Sequence, residues 1–487
     1  MAGLAGSRFP DSLPVNTQPE NRMTRQAHVN KNKFMKDILR KQQQYFNSHT
    51  TKPLAFRIEQ LKKLRTALIR YEQELTQAIY RDFQKGDFNT FLTEFAGLHV
   101  ELNKAIKEIK RWARVKRVGT NKLNMPAGSY IMPEPLGVCL IIGAWNYPVN
   151  LTMGPVIGAM AAGNTMIVKP SELAPQTGSI LARLVAEYFD PSYFTIVEGG
   201  IEEGTALLAL PFDKIFFTGS VGVGKIVYQA AAKNLTPVTL ELGGKSPLVV
   251  AADANLAVCV KRLVWGKFIN AGQTCIAPDY VMVDKSIEKP FLDLLQKEIA
   301  QGHYSLANQN YAQIINEKHF DRLIRLIEPE KVFTGGQFDR ASRYLAPTVL
   351  INVSPEDKIM EDEIFGPILP VLTYEDINHA ITFIKSKPKP LAFYLFSENR
   401  SLRDKLWREI SFGGGMVNDV LLHFAHDQLP FGGVGQSGTG SYHGEAGFRT
   451  FSHYKSFLQK PSWFEFPIKY YPYSGWKLAL IKRLIGL

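Results

Sequence analysis

From about residue 135 onwards, the chain alternates short apolar runs with polar or glycine-rich turns and segments of helical character. The first series of runs comprises residues 137–142, 165–168, 194–197, 214–217 and 238–240, and the second comprises 247–250, 280–283, 367–372, 392–396 and 415–417. Strands that are buried on both faces of a parallel sheet have continuous apolar sequences, and the intervening helices provide the crossovers. The alternation therefore predicts an α/β fold with doubly wound sheets, in which a second α/β domain begins near residue 245.

The length and composition fit a globular protein of two or three domains. The chain has 487 residues, whereas a typical domain has about 100–200 residues. Its hydrophobic content of 45% is enough to bury large cores and argues against wholesale disorder. Three cysteines, Cys139, Cys259 and Cys275, are too few for a disulfide framework, so we expect a reducing, cytoplasmic location. No apolar stretch approaches the roughly 18 residues of a membrane span, and we expect no secretory signal.

Positive charge is concentrated at the two ends of the chain. The formal net charge is +12, to which residues 1–70 contribute +10 and residues 453–487 contribute +5, leaving −3 for the rest. Because affinity for nucleic acid needs a continuous basic surface, this distribution argues against a nucleic-acid-binding protein. The polar composition of residues 1–30, with little apolar periodicity, predicts a disordered basic tail. Either the basic ends attach to an anionic membrane or they are solvated appendages.

Two helical segments precede the first α/β series. Between residues 34 and 83, apolar residues such as Leu54, Ile58 and Leu61 recur at three- and four-residue spacing, which predicts amphipathic helix. We predict another helix at residues 103–115. Its lysines and arginines are expected to form a solvated face.

Cys275 is the candidate nucleophile. It ends a polar, glycine-containing loop at residues 270–275, which follows an apparent helix at residues 256–268. A loop position gives a thiol room to reach a substrate and to be activated as the thiolate. Cys259 lies inside the helix and Cys139 inside an apolar run, so we interpret both as core residues.

Two further polar side chains lie at strand ends. Glu241 follows an apolar run and precedes a glycine pair, where burial would raise its pKa towards the range of a general base. Asn146 follows the run at 137–142, where its amide would donate to a developing oxyanion. A capped strand end for Glu241 and a turn residue for Asn146 fit the same positions, so both interpretations stay open.

A glycine-rich turn and two charged residues indicate a nucleotide site. Gly219, Ser220 and Gly224 lie between an apolar run and a helix, a context that binds phosphate through helix N-terminal amides, although the spacing is not the usual dinucleotide motif. Lys169 and Glu172 lie just beyond another buried strand, where ligands bind in open sheets. Contacts to sugar hydroxyls and solvated charges are the two interpretations of this pair.

Taken together, these segments resemble the aldehyde dehydrogenase superfamily from about residue 50 to about residue 460. The segments that carry the resemblance are Asn146, Lys169, the turn at 219–224, Glu241-Leu-Gly-Gly-Lys245, Gly272-Gln-Thr-Cys275 and Glu363-Ile-Phe365-Gly-Pro367. Three further segments resemble the class 3 branch, whose substrates are fatty and aromatic aldehydes: Pro-Phe-Gly-Gly-Val-Gly at 430–435, Tyr-His-Gly at 442–444 and Phe-Ser-His at 451–453.

The resemblance implies a three-part fold and a homodimer. It implies a Rossmann-like dinucleotide-binding domain, an α/β catalytic domain and a β-arm used for oligomerisation. The expected bounds are 31–116 and 136–245 for the dinucleotide-binding domain, 246–452 for the catalytic domain, 117–135 and 453–465 for the arm, and 466–487 for a C-terminal amphipathic segment.

The resemblance also implies NAD(P)-dependent oxidation of an aldehyde to a carboxylic acid through a thiohemiacetal and a thioester. Cys275 would attack the carbonyl, Asn146 would hold the oxyanion and Glu241 would activate the hydrolytic water. The residues implied to contact the cofactor are Trp145, Lys169, Glu172, Gly219, Ser220, Gly224, Leu242, Glu363 and Phe365. Because a carboxylate at Glu172 would repel a 2′-phosphate, we expect that NAD is preferred and NADP is accepted. No metal site is expected.

The last twelve residues are too short to span a bilayer, but on a helix Trp476, Leu480 and Leu484 share one side. This pattern is typical of an interfacial helix on an anionic membrane, and it also fits a helix packed on its own protein or on a dimer partner. A membrane-facing helix would favour lipophilic aldehydes, whether medium- or long-chain, aromatic or apocarotenoid-like. The alternative functions are a semialdehyde dehydrogenase for a small charged substrate and a non-catalytic protein of the same fold.

Overall fold

The computed structural model describes the backbone of residues 19–487 and the side chains from residue 33 onwards. Of the tail predicted at 1–30, residues 1–18 lie outside this described part. Residues 19–30 belong to the first helix, Pro19–Asn47, so the prediction of disorder is wrong for them. Proline at the first helical position and the good helix formers that follow, including glutamate, arginine and alanine, favour a helix there.

Helices separate most of the strands along the described chain. The α-helices of residues 19–487 are α1 (Pro19–Asn47), α2 (Leu54–Phe83), α3 (Asp87–Thr90), α4 (Ala96–Trp112), α5 (Asn150–Ala162), α6 (Pro175–Tyr188), α7 (Ile201–Leu208), α8 (Val221–Ala232), α9 (Leu256–Phe268), α10 (Glu288–Gln301), α11 (Glu317–Ile324), α12 (Ile377–Ser386), α13 (Arg400–Glu409), α14 (Gly444–Thr450) and α15 (Gly475–Leu484). A π-helical turn, Phe91–Phe95, joins α3 to α4. None of the helices in this part of the chain is long and apolar enough to cross a bilayer.

Within residues 19–487, the strands form two large sheets and two small ones. They are β1 (Lys116–Val118), β2 (Gly128–Pro135), β3 (Val138–Ile142), β4 (Thr165–Lys169), β5 (Phe194–Ile196), β6 (Lys214–Thr218), β7 (Val238–Glu241), β8 (Pro247–Val250), β9 (Tyr280–Asp284), β10 (Val332–Thr334), β11 (Phe338–Asp339), β12 (Tyr344–Leu345), β13 (Thr348–Leu350), β14 (Ile368–Tyr374), β15 (Ala392–Phe396), β16 (Gly414–Val417), β17 (Gly438–Thr439) and β18 (Ser452–Gln459). All ten apolar runs identified in the sequence are strands, with ends within two residues of the predicted ones.

The first large sheet has the order β17-β7-β6-β3-β4-β5 and is parallel except for β17. Neighbouring residues of β3 face opposite sides of the sheet: Cys139 and Ile141 join one apolar core, whereas Val138 and Leu140 join another that includes residues of α1 and α7. Because both faces are covered, every residue in the middle of the strand is apolar, as the sequence pattern predicts.

The second large sheet has the order β10-β13-β14-β9-β8-β15-β16 and is parallel except for β10. Its central strands share the larger core with α5, a helix in which every residue is buried. The strands β1, β2 and β18 form a separate antiparallel sheet in the segments predicted as an arm, with β1 and β18 each beginning one residue before the predicted bounds. The domain bounds and the oligomerising role of this arm stay predictions.

Candidate active site

The loop that carries Cys275 depends on an unusual backbone turn at the end of α9. Asn270 and Ala271 have φ angles of 53°, and Gly272 has a φ of 70°. A Cβ atom on Gly272 would lie 2.3 Å from the carbonyl oxygen of Gly366, so glycine is required there for space as well as for conformation. Left-handed residues cost free energy that the surrounding structure must offset, and they are common at active sites.

Gln273 holds this turn through both ends of its side chain. Its Nε2 donates to the carbonyl oxygens of Asn270 and Gln313, at 3.1 and 3.0 Å, and its Oε1 accepts from the backbone N–H of Ile315 at 3.0 Å. Since the side chain is buried and all three bonds are made, the turn is fixed at the residue that lies two positions before Cys275.

Asn146 is bonded to the same turn. Its buried side-chain Nδ2 donates to the carbonyl oxygen of Gln273 at 3.0 Å, while Nδ2 of Asn270 donates to the carbonyl oxygen of Asn146 at 3.0 Å. These two bonds join the segment after β3 to the Cys275 loop, although 127 positions separate Asn146 from Gln273.

Glu241 is a buried carboxylate without a hydrogen-bond partner among the described residues. It ends β7, pairs in register with Gly438 of β17 and is 3% exposed. Neither of its side-chain oxygens accepts a hydrogen bond there. Burial raises the pKa of Glu241 well above its usual range, because the charged form loses its hydration without compensation.

The Cys275 thiol lies within electrostatic reach of two carboxylates. Burial raises its pKa above that of an ordinary thiol, and the charges of Glu363 and Glu241 raise it further. Hydrogen bonds from the backbone N–H groups of Cys275 and Ile276 act in the opposite direction. The thiol form is therefore favoured, and formation of the thiolate requires a nearby base.

Cys139 and Cys259 lie in the apolar core, as their sequence positions indicate. Both side chains are fully buried, whereas Cys275 is only partly buried, so Cys275 is the cysteine that a substrate can reach.

Glu363 packs against the glycine pair that follows Glu241. A Cβ atom on Gly243 would lie 1.9 Å from the Oε2 atom of Glu363, so a side chain there would displace the carboxylate. Burial and the charge of Asp279 raise the pKa of Glu363 to about 8, although the backbone N–H of Gly244 lowers it. The absence of a side chain at Gly243 thus leaves the space that the Glu363 carboxylate occupies.

A buried ion pair connects the two segments that carry these carboxylates. Nζ of Lys245 lies 2.5 Å from Oδ2 of Asp279 and also donates to the carbonyl oxygen of Asp362. Oδ1 of Asp279 accepts from the backbone N–H of Ile364 at 2.8 Å. Lys245 and Asp279 thereby hold the loop of Glu363 next to the end of β7.

Trp145 and Phe365 form an aromatic wall beside the same loop. Their rings meet edge to face with centroids 5.4 Å apart. Phe365 has a φ of 48°, a left-handed conformation that turns the backbone at this residue. The predicted nicotinamide contacts of Glu363 and Phe365 therefore lie in one short, constrained loop.

The predicted nucleotide contacts lie at the carboxyl ends of β4 and β6. Nζ of Lys169 lies 3.0 Å from Oε2 of Glu172; the lysine is buried and the glutamate is exposed. Ser220 caps the N-terminus of α8 by accepting from the backbone N–H of Val223. These elements leave α8 amides and a charged pair at one edge of the sheet.

Gly224 and Leu242 pack on each other, and the backbone of Gly219 is bonded to the strand that carries Glu241. A Cβ atom on Gly224 would lie 2.6 Å from a methyl group of Leu242, so the leucine packs directly on α8. The backbone N–H of Gly219 donates to the carbonyl oxygen of Glu241 at 3.0 Å. The glycine-rich turn is thus tied to the strand that carries Glu241.

The structure brings Cys275, Asn146, Glu241 and Glu363 into one neighbourhood. Sequence reasoning gave no role to Tyr147, whose hydroxyl is hydrogen-bonded to Oγ1 of Thr274 at 2.5 Å, nor to Tyr442, whose buried hydroxyl has no partner among the described residues. The adjacency of Tyr147 to Asn146 and of Thr274 to Cys275 was a signal for the first pair. The Tyr-His-Gly segment was one for Tyr442.

Comparison with known proteins agrees with this geometry. The sequence model of the aldehyde dehydrogenase family matches residues 11–457. The chain belongs to the aldehyde dehydrogenase family. This match confirms the predicted fold and the predicted activity, the NAD(P)-dependent oxidation of an aldehyde.

Individual aldehyde dehydrogenases are similar over most of their length. The 4,4'-diaponeurosporen-aldehyde dehydrogenase of Staphylococcus aureus is 47% identical over 90% of this chain and 96% of its own. The aldehyde dehydrogenase family 3 member A2 of Pongo abelii is 45% identical over 87% of each chain, and the dimeric NADP-preferring aldehyde dehydrogenase of Rattus norvegicus is 45% identical over 87% of this chain and 94% of its own. The structure of the substrate-bound state of Staphylococcus aureus AldH superposes with a TM-score of 0.90, at 45% identity over 92% of this chain and 99% of the other. The resemblance to class 3 is confirmed.

Proposed function

We propose that Cys275, Asn146 and Glu241 carry out the oxidation and that the substrates are lipophilic aldehydes. The observation that carries this proposal is the convergence of three distant segments: Asn146 is bonded to the loop of Cys275, and the unpartnered carboxylate of Glu241 acts on the Cys275 thiol. A nucleophile, an oxyanion donor and a base in one neighbourhood are the components that acyl chemistry at a carbonyl needs.

In the first half of the reaction, Cys275 loses its proton and its sulfur bonds to the aldehyde carbon. The carbonyl oxygen becomes an oxyanion, which accepts hydrogen bonds from the backbone N–H of Cys275 and from Nδ2 of Asn146. Nδ2 carries two hydrogens, and one is bonded to Gln273, so the other remains for the oxyanion. Because the thiol form of Cys275 is favoured, we assign Glu241 or a water bonded to it as the first proton acceptor.

In the second half, Glu241 activates the water that hydrolyses the thioester. By then the proton that left Cys275 has passed to solvent, so Glu241 is again a carboxylate. It takes a proton from water, the water oxygen bonds to the acyl carbon, and the carbon–sulfur bond breaks with return of the Cys275 thiolate and release of the acid. A buried carboxylate without partners is costly. The absence of protein hydrogen bonds to Glu241 among the described residues leaves both oxygens for this water.

The residues around this group fit NAD(P). The Ser220-capped N-terminus of α8 offers amides to a pyrophosphate, and nothing lies within 4 Å of the Cβ position of Gly222, so this surface is open to a ligand. Lys169 and Glu172 would bind the adenosine ribose and Glu363 the nicotinamide ribose. Trp145, Phe365, Gly219, Gly224 and Leu242 would shape the surface against which the cofactor lies. When bound, the nicotinamide supplies the acceptor for the hydride that leaves the thiohemiacetal carbon.

NAD is the preferred cofactor in this proposal, and NADP is accepted. The carboxylate of Glu172 is exposed, so its charge would face a 2′-phosphate on the adenosine ribose and repel it. Its partner Lys169 partly offsets this repulsion, which accounts for some use of NADP. The rat relative is named NADP-preferring, so the ratio of the two cofactors is a sharp test of Glu172.

A lipophilic substrate fits the groups near Cys275. The tyrosines Tyr147, Tyr394 and Tyr442 all lie within electrostatic reach of its sulfur, and the charged groups that raise its pKa are carboxylates. A semialdehyde with its own carboxylate would be repelled there unless a cationic side chain compensated. One relative is named for 4,4'-diaponeurosporen-aldehyde, a lipophilic aldehyde, which supports the same class.

A kinetic series on linear aldehydes of increasing length tests this substrate class. We expect kcat/KM to rise with chain length, because each added methylene is buried from water. A small charged semialdehyde and an aromatic aldehyde are the comparison substrates, each measured with both nucleotides. A higher kcat/KM for the charged semialdehyde than for the long aldehydes would refute the proposal.

The C-terminal segment would attach the enzyme to an anionic membrane. None of the residues of α15 is buried, and Trp476 and Leu478 are 62% and 55% exposed. The aromatic residues Trp463, Tyr471 and Tyr473 before the helix are also exposed. Exposed tryptophan and tyrosine next to lysines and arginines are typical of segments that lie in a membrane interface. A cytoplasmic enzyme with such a segment would be membrane-associated.

A homodimer would cover two other exposed surfaces. The strand β18 is the outer strand of its small sheet, and Phe457 and Leu458 on it are exposed. Helix α8 exposes Ile226 and Tyr228. Unpaired edges and apolar patches of this kind are normally covered by a partner. Sedimentation equilibrium should give twice the chain mass, and a monomer at micromolar concentration would refute the dimer.

A further inference from the structure

A buried ion pair lies behind the proposed oxyanion site. Nζ of Lys85 is 2.9 Å from Oε1 of Glu94, and the two side chains are 1% and 0% exposed. Burying two charges costs hydration that their mutual attraction does not reliably recover, so such a pair is weak as a device for stability alone. The contacts of the two side chains with other segments of the chain indicate a second role.

Glu94 caps a helix that belongs to a different part of the chain. Its Oε2 accepts from the backbone N–H groups of Val149 and Asn150, at 3.1 and 3.0 Å, where α5 begins and where no local side chain provides a cap. Glu94 lies in the π-helical turn Phe91–Phe95, and such turns are frequent at functional sites. The capped helix end lies three residues beyond Asn146.

Lys85 reaches the residue between Asn146 and that helix. Its Nζ lies 4.3 Å from the ring centroid of Tyr147, within the range of a cation–π contact. The hydroxyl of Tyr147 is in turn bonded to Oγ1 of Thr274, which directly precedes Cys275. The ion pair therefore contacts the segment after Asn146 at two points and reaches the Cys275 loop through one hydrogen bond.

We propose that Lys85 and Glu94 are positioning residues that set the separation between the side-chain amide of Asn146 and the sulfur of Cys275. This inference rests on the proposed role of Asn146 as an oxyanion donor. Glu94 fixes the start of α5, Lys85 fixes the ring of Tyr147, and Tyr147 fixes Thr274. Catalytic groups must be held to within a fraction of an ångström, so a loosened pair misplaces the amide while leaving both groups present.

A double-mutant cycle tests the inference. We compare Glu94→Gln and Lys85→Met, each in the wild-type background and in an Asn146→Ala background. In the wild-type background each variant should lower kcat about 10-fold at saturating aldehyde and NAD, because the oxyanion donor is displaced. In the Asn146→Ala background each should lower kcat less than about 2-fold, since the displaced donor is already absent. Equal losses in both backgrounds would overturn the proposal.

Alkylation by iodoacetamide separates positioning from a general disturbance of the site. This reaction needs the Cys275 thiolate but no oxyanion donor, so its rate should change less than about 2-fold in both variants. A parallel fall in alkylation and turnover would mean that the pair supports the thiol itself, and it would overturn the proposed action through Asn146.

Asp82→Asn is the matched control. Asp82 lies on α2 and caps α6 from a distance: its side chain accepts from the backbone N–H groups of Gln176 and Thr177, at 3.0 and 2.9 Å. The variant should lower the midpoint of thermal unfolding and leave kcat at saturating substrates unchanged. A loss of kcat equal to that of Glu94→Gln would show that removing any such cap suffices, and it would overturn the special role of Glu94.

Tyr147→Phe serves if the charge variants do not fold. It keeps the ring under Lys85 and removes the bond to Thr274, so it should lower kcat in the wild-type background and not in the Asn146→Ala background. The proposed function fails separately, because it would be refuted by a Cys275→Ser variant that retains dehydrogenase activity, or by an Asn146→Ala variant with full kcat. Normal losses in those two variants without coupling to Tyr147 would overturn only the positioning role.

Discussion

The proposed catalytic centre buries its polar groups, whereas the C-terminal segment exposes its aromatic and basic side chains. Around Cys275, buried bonds from Gln273 and Asn146 fix the loop, and burial shifts the pKa values of the groups that would react. In α15, no residue is buried and the one aromatic side chain, Trp476, is exposed. We propose that the first arrangement works within one chain, whereas the second binds a membrane surface outside it. We therefore expect that changes around Cys275 abolish activity without affecting membrane binding, and that changes in α15 do the reverse.

Replacement of the proposed nucleophile is the most severe test of the proposed catalytic centre. Cys275→Ser should lower kcat by about 10⁴-fold or more, because the serine hydroxyl is a much weaker nucleophile and the aldehyde carbon gains no sulfur bond. Steady-state oxidation of a long-chain aldehyde gives the measurement, with Cys259→Ser as the control for a core cysteine. Turnover that is unchanged in Cys275→Ser would remove the proposed mechanism.

Truncation tests the outward-facing region. A chain that ends at residue 470 should float with anionic liposomes about 10-fold less than the full chain, because the interfacial helix is absent. Its kcat on a short, water-soluble aldehyde should be unchanged. Equal flotation of the two chains would exclude α15 as the anchor. A matching loss of kcat would show that the two regions are not independent.

Glu172 gives a smaller effect at the edge of the site. Glu172→Gln should raise the ratio of kcat/KM with NADP to that with NAD by about 3- to 10-fold, since the repulsion of a 2′-phosphate is removed but was already screened by solvent. Kinetics with both cofactors and one aldehyde give the ratio. An unchanged ratio, or a wild-type enzyme that clearly prefers NADP, would refute the argument from this carboxylate.

The pH dependence of stability gives the smallest effect. The folded-state pKa of Glu241 is raised by burial, so the unfolded chain releases this proton at lower pH than the folded chain does. Wild-type stability therefore falls as the pH rises from the ordinary carboxyl range towards the raised pKa, and Glu241→Gln lacks this loss. The unfolding midpoint of the variant should rise by a few degrees relative to wild type between pH 5 and pH 8. A constant difference would contradict the raised pKa.

The sequence predicts the large sheets because buried parallel strands are continuous apolar runs. The short strands β10–β13 and β17 were not predicted, since each has only two or three residues and therefore a weak sequence pattern. The helical part of the tail was missed because its polar composition resembles that of disordered segments, whereas helix propensity favours α1.

Some residues of the candidate site could likewise be predicted from the sequence, and others could not. Cys275, Glu241 and Asn146 could be predicted because each lies next to a glycine-rich loop or a strand end. The pair Lys85 and Glu94 could not, because its contacts are made with residues 147–150, more than fifty positions further along the chain. Local sequence predicts strands and reactive loops, but it does not show which distant charged residues form a buried pair.

The most direct measurement is the mass of the protein during turnover of Glu241→Gln. Mixed with a long-chain aldehyde and NAD and quenched with acid, this variant should gain the mass of one acyl group, because the thioester forms and its hydrolysis is slowed. Peptide mapping should locate that group on Cys275, while the wild-type enzyme under the same conditions should carry little of it. An acyl group on another residue, or full steady-state turnover by Glu241→Gln without accumulation, would contradict the pairing of this thiol with this carboxylate.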